Sequence, residues 1–204
     1  MDHLVWGGRN LDEEIDRLEA LTGVRAARGG AHPGAGTHNA LLRLGAASYL
    51  ELIAPDPAQA PPAGPRWFGL DDLTAPGLVT WAARATDLER RVAKAREAGL
   101  DLGEVRRGQR RLRDGELLTW RLTQPEIARG DGLVPFLIDW GESPHPAERA
   151  PAGIALVALG AEHPDPPRIR RMLEQLGVEL QVSRGPTPAL IATLDTPRGR
   201  IALR

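Results

Sequence analysis

Asn10-Leu11-Asp12-Glu13-Glu14-Ile15-Asp16-Arg17-Leu18-Glu19-Ala20-Leu21-Thr22-Gly23 is the stretch from which the fold can be read. Leu11, Ile15, Leu18 and Leu21 fall on one stripe at helical spacing. Asn10 and Glu13 resemble a capping box, with Asn in the place usually taken by Ser or Thr. Gly23 supplies a left-handed stop. Ahead of this helix lies the apolar run Leu4-Val5-Trp6, read as a strand. Behind it come Val24, a glycine-rich loop, and a hairpin of residues 39–44 and 49–53 around the turn 45–48.

The same grammar recurs twice. Residues 78–81 read as a strand, with Thr86 and Glu89 as a capping pair. Leu88, Val92, Ala95 and Ala98 form the stripe and Gly99 the stop. Strands at 102–106, 116–122 and 133–140 follow. The third unit runs through a strand at 154–159, a helix from Pro166, Gly177, and strands at 178–182, 189–194 and 200–203. Pro166 and Pro167 suit a first helical turn, where a missing N–H costs nothing. Gly23, Gly99 and Gly177 lie 76 and 78 residues apart, which marks an internal repeat of strand–helix–strand–strand–strand. The units occupy residues 1–54, 76–141 and 152–204. The Pro- and Ala-rich stretch 55–65 and the stretch 144–151 link them.

Composition narrows the classes of function. With 26 basic and 27 acidic residues, the net charge of −1 offers no global attraction to nucleic acid or to a membrane surface. Among the basic residues only Lys94 is lysine, a bias that codon usage in a GC-rich genome explains. No cysteine is present, which excludes disulfides, zinc ribbons, thiol catalysis and iron–sulfur clusters. The N-terminal residues lack the basic and apolar regions of a signal peptide, and no run approaches the ~20 apolar residues of a membrane helix. A cytoplasmic protein is expected.

Each unit can cover one sheet face with its helix, which leaves the other face to a partner unit. Two units side by side would enclose a cup, and function is sought on the strand positions that face it. Strand residues alternate between faces. If Leu50 and Leu52 pack on the helix, Glu51 points into the cup with Tyr49 and Ile53. In the first strand His3 and Val5 then share that face. His3 and Glu51 would meet there, as metal ligands or as an acid–base pair. The loop Gly29-Gly30-Ala31-His32-Pro33-Gly34-Ala35-Gly36-Thr37-His38-Asn39 fits neither a Walker loop nor a dinucleotide fingerprint. His38, which enters the strand carrying Asn39, is read as a ligand contact, and His32 as a loop polar residue. Trp81 and Trp120 are expected in the pocket wall, with Asp139 as a second carboxylate at a strand end. His145 and His163, beside prolines, are read as surface residues.

These residues carry a family resemblance. Asp2-His3-Leu4-Val5-Trp6, Gly29-Gly30 with His32, Gly36-Thr37-His38-Asn39, Tyr49-Leu50-Glu51-Leu52-Ile53, Phe136-Leu137-Ile138-Asp139-Trp140 and Pro144-His145-Pro146 resemble the glyoxalase-like domain family of the vicinal oxygen chelate superfamily. The resemblance implies an α+β fold of tandem βαβββ modules forming a cup-shaped mixed sheet with helices outside, and a third, degenerate module. It implies a divalent metal held by His and Glu from the first and fourth strands, matched here by His3 and Glu51. The second module departs, with Thr80 or Leu78 opposite His3 and Ile138 opposite Glu51. The expected ligand is a small oxygen-rich molecule touching His3, His38, Asn39 and Glu51 on one side and Trp81, Trp120 and Asp139 on the other. The implied function is a lyase, isomerase or dioxygenase with His3 and Glu51 catalytic. The alternative is a non-catalytic binding or sequestration protein of the bleomycin-resistance type. The third unit would pack as an extra unit or pair across a homodimer.

Overall fold

Asn10 caps the first helix as its position suggests, its side chain accepting from the backbone N–H groups of Asp12 and Glu13. The computed structural model describes residues 1–112 and 115–204. The first unit comprises β1 (His3–Gly7), α1 (Leu11–Thr22), β2 (Ala27–His32), β3 (Thr37–Gly45) and β4 (Ser48–Pro55). The second comprises β5 (Gly77–Arg84), α2 (Leu88–Glu97), β6 (Val105–Arg111), β7 (Leu117–Thr123) and β8 (Phe136–Asp139). The third comprises β9 (Ala155–His163), α3 (Pro166–Leu176), β10 (Gln181–Arg184), β11 (Ala189–Thr196) and β12 (Gly199–Leu203).

Gly23 and Gly177 end α1 and α3 in the left-handed conformation, which glycine adopts at least cost. The capping pair expected at Thr86 and Glu89 does not form. Asp87 is the N-cap of α2, itself left-handed, and makes no side-chain capping bond. The strands of the second unit also start later than their apolar runs, because residues 102–104 and 133–135 are irregular.

The first two units build one eight-stranded sheet in the order β2-β3-β4-β1-β5-β8-β7-β6. β1 lies parallel to β4, with Val5 opposite Glu51, and antiparallel to β5, with Val5 opposite Thr80. β5 lies parallel to β8. The two halves therefore repeat one pairing scheme about the β1–β5 seam. The sheet curls until β6 on one edge reaches β2 and β3 on the other, where Arg110 Nη1 donates to Asn39 Oδ1 at 2.8 Å.

Period-2 alternation then separates two cores. Leu4, Trp6, Leu50 and Leu52 face the helices and pack with Leu11, Ile15, Leu18, Leu88 and Val92. Val5, Ile53, Ala82, Trp120, Leu122, Phe136 and Ile138 face the concave side. Burying each large apolar side chain contributes about 1.5–3 kcal/mol.

The third unit shares the order of elements but not the order of strands. Its four-stranded sheet runs β10-β9-β11-β12, so β9 pairs parallel with β10 rather than with β12. Periodicity fixes which residues form strands and which way they face, not which strands pair. Within the same chain, Val182, Leu190, Ala192, Leu194 and Leu203 join the core formed by the helix side of the large sheet. Among the described residues no helix is long and apolar enough to cross a membrane.

Candidate functional site

The concave face gathers polar side chains in an otherwise apolar cup. His3, brought in by β1, is buried and stacks on Tyr49 of β4 with ring centroids 4.5 Å apart. Its Nε2 stands 3.6 Å from Glu51 Oε2, and its Nδ1 lies 2.8 Å from Asp2 Oδ1. Glu51 Oε1 accepts from Asn39 Nδ2 at 2.6 Å. His3, Asn39 and Glu51 are thus brought together as expected, with Trp120 in the wall of the same small cavity.

Three expected residues lie elsewhere. His38 precedes Asn39 on β3 and so faces away from the cup, its Nδ1 3.7 Å from Asp56 Oδ1. Trp81 pairs with Leu4, packs in the helix-side core and donates to the Leu133 carbonyl at 2.8 Å. Asp139 accepts from the Gly141 backbone N–H at 3.0 Å as a turn acceptor, and borders only a wider outer cleft.

His32, expected as a loop polar residue, and His145 and His163, expected at the surface, are placed differently. His32 is buried in the cluster, with Nδ1 3.0 Å from Thr37 Oγ1 and Nε2 3.3 Å from Asn39 Nδ2. Burial pushes its pKa down to about 4 against the opposing pull of Glu51. His32 is therefore neutral near pH 7. Asn39 donates to its Nε2, so Nδ1 carries the proton and donates to Thr37. Arg110, 3% exposed, orients Asn39 by donating to its carbonyl oxygen. His145 is not a surface residue either. Its Nδ1 accepts from the Ala147 N–H, which leaves Nε2 to donate to Asp2 Oδ2 at 3.2 Å. His163 is buried too, against Asp131, far along the chain from this cluster.

Asp2 anchors His3. It is fully buried and also accepts from Arg84 Nε at 2.8 Å and Trp140 Nε1 at 3.3 Å. Burial raises its pKa, but hydrogen bonds from His145, His3 and Arg84 outweigh that and hold it well below the usual carboxylate range. An ionised Asp2 fixes the His3 proton on Nδ1 and turns Nε2 toward Glu51.

A resident divalent ion does not fit this donor set. Among the described residues the matched donor atoms left are His3 Nε2 and Glu51 Oε2, because Glu51 Oε1 is taken by Asn39; the Asp2 bond at His3 Nδ1 leaves Nε2 open but adds no further ligand. The register of β5 and β8 sets Thr80, Ala82, Phe136 and Ile138 on the matching face of the second half, of which only the Thr80 hydroxyl is a donor, and a weak one. The Arg110 guanidinium borders the same cavity. Among the described residues no group of three or more His, Cys, Asp or Glu side chains is placed to hold a metal.

Paired βαβββ halves around a polar cup define a vicinal oxygen chelate fold. The chain matches the glyoxalase-like domain family over residues 1–177 and belongs to it. A hypothetical protein from Staphylococcus aureus shares the fold, with 16% identity and a TM-score of 0.66 over 98% of this chain and 83% of that one. Methylmalonyl-CoA epimerase from Mycobacterium tuberculosis aligns with 22% identity and a TM-score of 0.44, over 69% of this chain and 87% of its own. No curated protein matches the chain.

Proposed function

We propose that the protein is a metal-independent acid–base enzyme that moves a proton next to a carbonyl group of a small oxygen-rich molecule. The observation that carries this reading is the approach of His3 Nε2 to Glu51 Oε2 at 3.6 Å, with Asp2 fixing the far side of the imidazole. Glu51 takes the proton from carbon. Glu51 passes it to the unprotonated Nε2 of His3, which delivers it to a neighbouring carbon and so reverts to the Nδ1–H tautomer that Asp2 holds, while the carbonyl oxygen carries the enolate charge in between. Positioned acid–base groups of this kind contribute about 10²–10⁴-fold to rate. The Arg110 guanidinium adds positive charge beside the developing oxyanion. His32, neutral and hydrogen-bonded at both nitrogens, positions Asn39 rather than exchanging protons.

The polar cavity measures about 30 Å³. It admits the reacting carbon and oxygen, while the rest of the substrate lies in the outer cleft of about 910 Å³ walled by Trp67, Trp120 and Trp140. That same narrowness favours a second reading. A ligand confined to the outer cleft would be bound and not turned over, as in a sequestration protein.

One experiment separates the two. EDTA-treated protein is incubated in D2O with 2-oxo acids, α-hydroxyketones and hemithioacetals, and solvent deuterium in the recovered compounds is read by mass spectrometry. The enzyme reading expects exchange that falls at least 100-fold in Glu51→Gln and in His3→Gln. Thermal stabilisation by these compounds without exchange would leave the binding reading.

A further inference from the structure

A second chamber adjoins the Glu51 cluster and shares Arg110 with it. It lies between the closing edges of the large sheet, beneath residues 144–150, and measures about 260 Å³. Leu41, Leu112, Leu118 and Ala150 give it apolar walls. A cavity of about 150 Å³ lined with aliphatic and aromatic groups holds benzene, so this one accommodates a ring with a short substituent. Its charged lining is of one sign. Arg28, Arg110 and Arg149 border it together with His145, and among the described residues no Asp or Glu does. Arg28 and Arg149 reach out to Asp12 and Glu116 at the exposed rim.

Arg110 is different. It is buried, it forms the wall between this chamber and the Glu51 cluster, and its Nη1 serves Asn39. Its Nε is buried without a hydrogen-bond partner among the described residues. An unpaired donor on a buried guanidinium carries its full desolvation penalty, which an anionic acceptor reaching that atom would relieve. Among the described residues Arg43 Nε and Arg129 Nη2 are bare as well, so what sets Arg110 apart is its place on the chamber wall.

We infer that this chamber is a binding site for a small aryl or branched-chain carboxylate, whose apolar body lies against Leu41 and Leu118 and whose carboxylate pairs with Arg110. Apolar walls supply affinity and one placed charge supplies orientation, the usual division in small-molecule sites. Charge and shape are both required of the ligand. An uncharged analogue leaves the guanidinium unpaired, and acetate leaves the chamber unfilled.

The test is binding by the full chain, read by isothermal titration with phenylacetate, phenylacetamide and acetate. Phenylacetate is expected to bind at least tenfold more tightly than either of the others. Arg110→Gln should lose that preference for the anion. Ala27 is exposed at the chamber's rim, so Ala27→Trp should plug the chamber and abolish binding without touching the core. Equal affinity for phenylacetamide, unchanged affinity in Ala27→Trp, or no binding of phenylacetate would each overturn the assignment. The wild-type preference and the Ala27→Trp result leave Arg110 in place and do not bear on deuterium exchange at Glu51, so the two readings stand or fall separately.

Discussion

Arg110 and Asn39, 71 positions apart in the chain, meet at 2.8 Å where the edges of the curled sheet close. The contact depends on an absent side chain. A Cβ on Gly29 would stand 2.2 Å from both Arg110 Nη1 and Asn39 Oδ1. Gly29→Ala should therefore separate the pair and release the Asn39 amide from its hold on Glu51. Overpacking of this kind costs about 1–3 kcal/mol. The urea midpoint should fall with the slope unchanged, and deuterium exchange should fall with it. A Gly29→Ala protein with wild-type midpoint and exchange would show that the seam does not depend on this contact.

Trp120 rests on a second such gap. Gly108 sits opposite it on β6, and a Cβ there would come within 2.3 Å of the indole Nε1. Trp120 is packed against Trp140, with centroids 5.3 Å apart, so Gly108→Ala pushes the ring toward the polar cavity and the outer cleft, both of which it lines. Tryptophan emission should shift and turnover should fall at least tenfold. Gly64 has open space around its Cβ direction and no positive φ. Gly64→Ala should change stability by no more than about 0.5 kcal/mol.

How much of this was legible depended on the kind of signal. Alternation along 49–53 and the β1–β4 pairing were enough to set His3 facing Glu51, because a buried face fixes strand register. The same rule applied one residue further puts Asn39 inside and therefore His38 outside. Trp81 follows from it too, as the partner of helix-facing Leu4. His32 was obscured by its glycine-rich setting and by a register shift in β2 between Arg28 and Gly30. Arg110 was hidden in Arg106-Arg107-Gly108-Gln109-Arg110-Arg111, where an arginine-rich composition gives no sign of which one turns inward. The strand order of the third unit was out of reach, since it is decided by long-range packing rather than by local pattern.

His32 gives the protein a defined pH response. Its pKa is about 4 in the folded state against 6.5 for the free side chain. Between those values the unfolded chain binds a proton that the folded chain refuses, so stability falls as pH drops from about 6.5 to about 4. The loss from this group alone is roughly 3 kcal/mol. Urea midpoints at pH 7, 5.5 and 4.5 should decline in the wild type. The decline should be shallower in His32→Gln, which keeps a hydrogen-bonding side chain and removes the titration. Asp2, whose folded pKa is depressed, adds its own loss only as pH falls below 3.8. Parallel pH profiles for the two proteins would remove His32 as the cause.

Asp2→Asn is the most informative substitution, because the carboxylate serves donors on both oxygens. Oδ1 lies 2.8 Å from His3 Nδ1 and 3.3 Å from Trp140 Nε1, and Oδ2 lies 2.8 Å from Arg84 Nε and 3.2 Å from His145 Nε2. An asparagine must turn its NH2 toward one of these pairs. Facing His3, it would force the imidazole proton onto Nε2, the wrong tautomer for receiving a proton there. Facing Arg84 and His145, it would set donors against donors. Either way a buried, fully used acceptor is lost, which costs about 2–4 kcal/mol. Arg84 is partly exposed and can be solvated, which keeps the figure below that for stranding a fully buried charge. The exchange rate measured under folding conditions should fall more than 100-fold, since the His3 tautomer no longer matches its role. His145→Gln retains a donor toward Oδ2 and leaves the His3 side of Asp2 untouched, so it should lose less than tenfold. If Asp2→Asn folds, keeps its midpoint and exchanges deuterium at the wild-type rate, His3 does not depend on Asp2 and the proton-transfer assignment of His3 fails with it.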